Sequence, residues 1–175
     1  MLGRQTSKTP KAEISAQHLF KLGLMHRLEQ GLSGLDTILE GVSTLRIHHL
    51  SDQGQWSVHH NLAHLGRSHE VLLERLERMV SCDDPPHLEP YRVEQDENYA
   101  SWLEMPTGGV ISELRQIRST LLERVATLED HDLERLGYHP VYGAMPLKKW
   151  LELFLAHEGH HIYAIFLRLG ESKEI

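Results

Sequence analysis

The chain is poor in the features that identify many small proteins. It has one cysteine, Cys82, in 175 residues. A lone thiol excludes an intrachain disulfide framework and fits a reducing compartment. Cys82 abuts Asp83 and Asp84, whose charges disfavour a thiolate, so it is also a poor nucleophile. No apolar run approaches the roughly 20 residues that span a bilayer. That argues against a membrane partner and makes the cytoplasm the expected location. Positive charge is not in excess either: 25 acidic side chains face 18 basic ones, for a net charge of −7. Nucleic-acid binders concentrate Lys and Arg, so a small molecule is the better partner. Strand-like alternation is scarce, and there is no internal repeat or low-complexity tract. Residues 1–11 are polar and basic without the apolar middle of a secretory signal, and read as a flexible extension. Residues 12–175 then read as a single domain.

Helical periodicity and histidine are what the chain has in quantity. A first helix is expected over about Ala12–Leu39, with Leu19, Leu22, Leu28, Leu32, Leu35 and Leu39 inward. Gly23, Gly31 and Gly34 weaken it, each by roughly 1 kcal/mol against Ala. After a loop at Ser51–Gln55, Ser57 is placed to cap a second helix, whose stripe is Val58, Leu62, Leu65, Leu72, Leu76 and Met79. This helix stops before Asp83-Asp84-Pro85-Pro86. An irregular stretch follows to Pro106, with a short helical turn around Asp96–Trp102. The third helix spans about Val110–Leu128. Gly137–Met145 reads as a loop, and the last helix runs from Pro146 to Leu169, with Gly170 just beyond. Four amphipathic helices and no sheet predict an all-α four-helix bundle with a long connection between helices two and three.

Fourteen histidines are an anomaly of composition, and imidazole is the commonest metal ligand. The run His157-Glu158-Gly159-His160-His161 places two imidazoles at i and i+4 on one helix face. That spacing lets both close on one ion at roughly 2.0–2.1 Å. Both sit in the inner stripe Trp150, Phe154, His157, His161, Ile165, while His160 lies off it. Three protein ligands and one open position make the usual catalytic site, so a third ligand must come from elsewhere. The second helix offers His59, His60, His64 and His69. Its wheel favours His69, near the centre of the apolar stripe, over His64, unless a wide arc of that helix is buried.

Trp56-Ser57, then Leu62-Ala63-His64-Leu65, then His157 and His161 on a terminal helix resemble the DinB/YfiT-like superfamily. Gly137-Tyr138-His139-Pro140, with Gly143 and Leu147, resembles that family's approach to its last helix. The likeness runs from about Leu22 to Gly170. It implies a four-helix bundle holding a divalent ion, nickel or zinc, on His64, His157 and His161, and it selects His64 against the wheel. Where the family often carries an acidic residue four before the first ligand, this chain has His60. His60 is either a fourth ligand or a solvent-facing substitution. Bundles of this family are commonly dimers, which makes a homodimer the assembly to look for, although no exposed stripe demands one.

His157-Glu158-Gly159-His160-His161 also matches the H-E-x-x-H signature of zinc proteases. The extended form of that motif fails here, because positions 164 and 167 are Ala164 and Leu167, and no strand-rich half exists to hold a peptide. Glu158 therefore loses the protease's assignment as general base. It remains a candidate catalytic residue, able to orient a ligand or accept a proton, with a plain surface glutamate as the alternative. Characterised branches of the family implied by the resemblance are thiol S-transferases and a thiol-dependent isomerase. The expectation is thus a metal-dependent transferase using a low-molecular-weight thiol. A metal-dependent hydrolase, or a non-enzymatic metal-binding bundle, are the alternatives. Arg67 is the cation nearest a ligand in sequence for an acidic thiol cosubstrate.

Overall fold

The computed structural model describes residues 15–50 and 54–171, so the 1–11 extension and part of the Ser51–Gln55 loop lie outside it. Ser15 opens α1 (Ala16–Gln30) by accepting the His18 N–H on its Oγ at 3.0 Å. The expected first helix does not continue to Leu39. It breaks after Gln30 and resumes as short α2 (Leu35–Leu39) and α3 (Thr44–His48). Gly31 sits at the break, and a Cβ there would stand 2.2 Å from Glu158 Oε1. The inward face also differs from expectation. Leu24, Leu28, Leu32 and Leu35 are buried, whereas Leu19 and Leu22 are 56% and 49% exposed. Leu24 and Leu28 pack with Leu72 and Leu76, and Leu32 and Leu35 pack with Val58 and Leu62, which leaves Leu19 and Leu22 on the outer side.

Ser57 caps α4 (Val58–Ser81) through the His60 N–H, an arrangement worth about 1 kcal/mol. The connection that follows carries α5 (Glu97–Glu104), slightly longer than the helical turn expected. Gly66 lets α5 dock: a Cβ there would meet the Trp102 ring at 2.1 Å. Then come α6 (Thr107–Thr127), β1 (Leu136–His139), β2 (Gly143–Pro146) and α7 (Leu147–Glu171). The stretch expected as loop is an antiparallel hairpin, with register Leu136↔Pro146 to His139↔Gly143. Pro146 closes β2 instead of opening the helix, and Gly170 lies inside the last turn of α7. The hairpin is tied to the α4–α5 connection by Leu88 N–H to Tyr138 O and Tyr138 N–H to Pro86 O, at 2.7 and 2.9 Å.

Four long helices, α1, α4, α6 and α7, make the all-α bundle. Its interior is two apolar clusters rather than one. Leu24, Leu28, Leu72, Leu76, Leu121, Val125, Trp150 and Phe154 form the first. Leu32, Leu35, Val58, Leu62, Leu114 and Ile165 belong to the second. The sharing of clusters shows that α4 and α6 run the same way, which the long connection between them makes feasible. Between the clusters the buried side chains are polar: His64, Ser68 and His69 on α4, Arg118 on α6, Glu158 and His161 on α7. Buried polar groups are costly unless paired, so this layer is where function is to be sought. No helix among the described residues is long and apolar enough to cross a membrane.

Candidate metal centre

The N-terminal half of α4 is buried almost all round: of residues 57–69 only His60 is not buried. A helix so enclosed has no single inward stripe, so the wheel does not decide between His64 and His69. The structure sends the two in different directions. His64, His157 and His161 bring one ligand nitrogen each to within 4.8 Å of one another. His64 Nε2 and His157 Nε2 are 3.0 Å apart. Two nitrogens on a tetrahedral ion at roughly 2.0–2.1 Å would stand roughly 3.3–3.4 Å apart, so the spacing fits a shared cation. Fixed polar partners support the same reading. His161 Nδ1 lies 2.8 Å from Asn61 Oδ1, and Asn61 Nδ2 donates to Ser57 O at 2.9 Å. Asn61 thus holds the His161 proton on Nδ1 and leaves the Nε2 lone pair free, the role of an outer-shell partner in metal sites.

Electrostatics agree with neutral ligands. Burial, and then the neighbouring His157, push His64 down to about 4. Burial first, followed by His64, His157 and His160, pushes His161 down to about 3. His157 is lowered by burial and by His160. Metal ligation needs the unprotonated ring, so all three are poised for it at neutral pH. Aromatic rings wall the group. Trp56 stacks on His161 with centroids 5.9 Å apart and lies 4.9 Å from His64, while Tyr91 stacks on His64 at 5.7 Å. Burial, with the nearby Asp96 charge second, pushes the Tyr91 phenol up.

The other singled-out residues lie elsewhere. His60 Nδ1 contacts Ser57 Oγ at 2.7 Å and is outside the convergent group. His160 is exposed. His69 is fully buried and donates from Nδ1 to Leu65 O at 2.6 Å, while its Nε2 accepts from Arg118 at 2.6 and 3.1 Å. Glu158 is not a surface residue: it is 2% exposed, ion-paired with Arg118, and 3.4 Å from His69 Nε2. Arg67 is no free cation for a ligand, because Asp96 and Glu70 hold it at 2.6 and 3.0 Å. Cys82 is exposed.

A cavity of about 340 Å³ opens beside His157, between α4, α7, the hairpin and the connection after α4. Tyr91, Tyr142, Trp150 and Phe154 supply aromatic walls, and no carboxylate lines it. Asn61, Tyr91, Val141 and Tyr142 were not singled out by sequence, whereas His139 was, as part of the approach to the last helix. Of those missed, only Asn61 had a signal, as a polar side chain about one turn before His64.

The sequence profile of the DinB superfamily matches residues 27–165. The chain is 28% identical over 149 residues to the uncharacterized protein YuaE of Bacillus subtilis (strain 168), covering 78% of this chain and 87% of YuaE. The solved structure of YfiT from Bacillus subtilis aligns with a TM-score of 0.72 at 23% identity, over 94% of this chain and 92% of that one. YfiT is described as a probable metal-dependent hydrolase with an unusual four-helix bundle topology. At that identity the likeness speaks for the fold alone.

Proposed function

This chain belongs to the DinB superfamily, and we propose that His64, His157 and His161 hold a divalent ion, nickel or zinc as the family resemblance implies, for a transferase reaction using a low-molecular-weight thiol. The observation that carries this reading is the convergence of three neutral imidazoles beside an aromatic cavity that no carboxylate lines. A bound divalent ion would lower the pKa of a thiol or water at its open position, supplying a nucleophile at neutral pH. A thiol, with an ordinary pKa of about 8.5, needs far less help than water. The nearest buried carboxylate, Glu158, is neutralised by Arg118, so a site without a free base suits the thiol better.

The chain's own residues have definite parts in this scheme. His64, His157 and His161 would anchor the ion, and Asn61 would fix the tautomer and tilt of His161. Trp56 and Tyr91 exclude water from the ligands. The cavity beside His157 would receive the electrophile. Glu158 is a positioning residue here rather than a proton acceptor. Hydrolysis at the same ion is the competing reading, and YfiT is described as a probable metal-dependent hydrolase.

Zinc- or nickel-loaded protein, supplied with cysteine as thiol and an alkyl halide as electrophile, tests the choice. Thioether formation above that of the His64→Ala variant supports the transferase. Thiol-independent cleavage of an activated ester, with no thioether formed, would replace it with the hydrolase.

A further inference from the structure

Arg75 stands out among the cavity's residues. It projects from α4 into the wall of the cavity beside His157 and is partly buried. One Nη donates to Glu89 O at 2.5 Å, and the guanidinium carbon lies 5.3 Å from the Trp150 ring centroid. No carboxylate among the described residues lies within ion-pair distance of it. Among the described residues, the buried or half-buried Arg67, Arg118, Arg124 and Arg168 have acidic partners, whereas Arg46 and Arg135 donate to backbone carbonyls away from this cavity. A desolvated cation without a direct ion-pair partner is unfavourable, and burial together with Arg78 lowers the Arg75 pKa from its usual value, against a smaller upward pull from Glu74 and Tyr142.

The remaining walls tell what an occupant would look like. Tyr142 and Trp150 are set nearly perpendicular, with centroids 6.1 Å apart, and His139 stacks on Tyr142 at 4.8 Å. His139 Nδ1 accepts the Val141 and Tyr142 N–H groups at 3.1 and 3.4 Å, which puts the ring's proton on Nε2. The lining therefore offers a cation, aromatic faces and no negative charge, in a chain whose net charge is −7. A guanidinium stacked on an aromatic face keeps its in-plane N–H fork for a carboxylate.

We propose that this cavity is the substrate site, and that it takes a small acid with an aromatic or apolar body whose carboxylate pairs with Arg75 while its reactive end faces the three histidines. The part concerning the reactive end rests on the metal reading above; the Arg75 subsite itself does not. The Glu89 carbonyl and Trp150 hold the guanidinium in place, so the subsite is formed before the acid arrives. This also accounts for Arg75 being left unpaired at a wall where a glutamate could have neutralised it.

The test compares 4-phenylbutyrate with its neutral analogue 4-phenylbutyramide, by calorimetric titration of zinc-loaded and of chelator-treated protein. The acid is expected to bind about tenfold or more tightly than the amide, with or without zinc. Arg75→Gln should erase the preference, chiefly by weakening the acid, while the circular dichroism and thermal midpoint of the parent are retained, and Arg75→Lys should restore part of it. Equal binding of acid and amide by the parent, or a preference that survives Arg75→Gln, overturns the subsite. If the preference survives Arg75→Gln but disappears on chelation, the carboxylate sits on the ion: the Arg75 assignment fails and the metal reading stands. If the preference depends on Arg75 in a chain that binds no zinc, the subsite stands and the metal reading fails.

Discussion

Glu158 and Arg118 form an ion pair inside the bundle, with side chains 2% and 6% exposed. The pair joins α7 to α6. Arg118 also donates to His69 on α4 and to the Leu28 carbonyl on α1, so one guanidinium touches all four long helices. The glutamate of an apparent protease signature thus belongs to the bundle's central polar layer. It acts on the neighbouring His157 by fixing the helix that carries it.

Breaking this pair should cost stability and not metal. Removing one member of a buried pair typically costs about 3–5 kcal/mol, because the other charge is left uncompensated. Glu158→Gln is expected to lose about that much in urea denaturation while keeping its bound metal. The double variant Glu158→Leu with Arg118→Met should be less destabilised than the sum of its single variants. Loss of metal from a folded Glu158→Gln would assign the carboxylate to the ion instead.

Gly31 answers to the same pair. Its missing Cβ leaves room for Glu158 Oε1, which would otherwise be 2.2 Å away. Overpacking of this kind costs about 1–3 kcal/mol. Gly31→Ala should show that loss in the parent and a smaller one in a Glu158→Ala background, measured as a double-mutant cycle.

Asn61 makes a separate prediction. Its Oδ1 holds the His161 ring at 2.8 Å, and loss of such outer-shell partners costs about 10–100-fold in metal affinity. Asn61→Leu, which keeps bulk but offers no acceptor, should weaken zinc by a factor in that range, read by competition with a chelating dye. Unchanged affinity would make the contact incidental.

The fold should weaken in acid through His69. Burial, and then the Arg118 charge, push its pKa down to about 3 from an ordinary 6.5. Between those values the unfolded chain binds the extra proton, so stability is complete above about pH 6.5 and declines as pH falls. His69 should account for about 2 kcal/mol of the loss between pH 7 and pH 5. His69→Leu is expected to reduce the pH slope by that amount; an unchanged slope would remove His69 as its source.

Much of this was legible in the residues. The paired His157 and His161 were visible as an i,i+4 break in an apolar stripe, and the bundle in four helical periods. His64 was not separable from His69 by periodicity, because the wheel presumes one buried face and the start of α4 has none. The central layer also left a trace that periodicity could have exposed. Arg118 stands in the stripe between Leu114 and Leu121, as His69 does between Leu65 and Leu72. What joins them to Glu158 is helix order and direction, which pattern alone does not carry. The hairpin at 136–146 was missed because its strands are four residues each, too short for alternation to register. Nothing in the pattern points to Arg75 for a related reason: the wall that half-buries it comes from the hairpin, α7 and the connection after α4.

The central claim is that His64, from a helix far along the chain from His157 and His161, completes a metal site with them. Purified protein equilibrated with zinc or nickel and freed of unbound ion should retain stoichiometric metal by elemental analysis. His64→Ala, folded by circular dichroism, should retain little or none. Equal metal content in the parent and in His64→Ala, or a parent that holds no ion, would contradict the account.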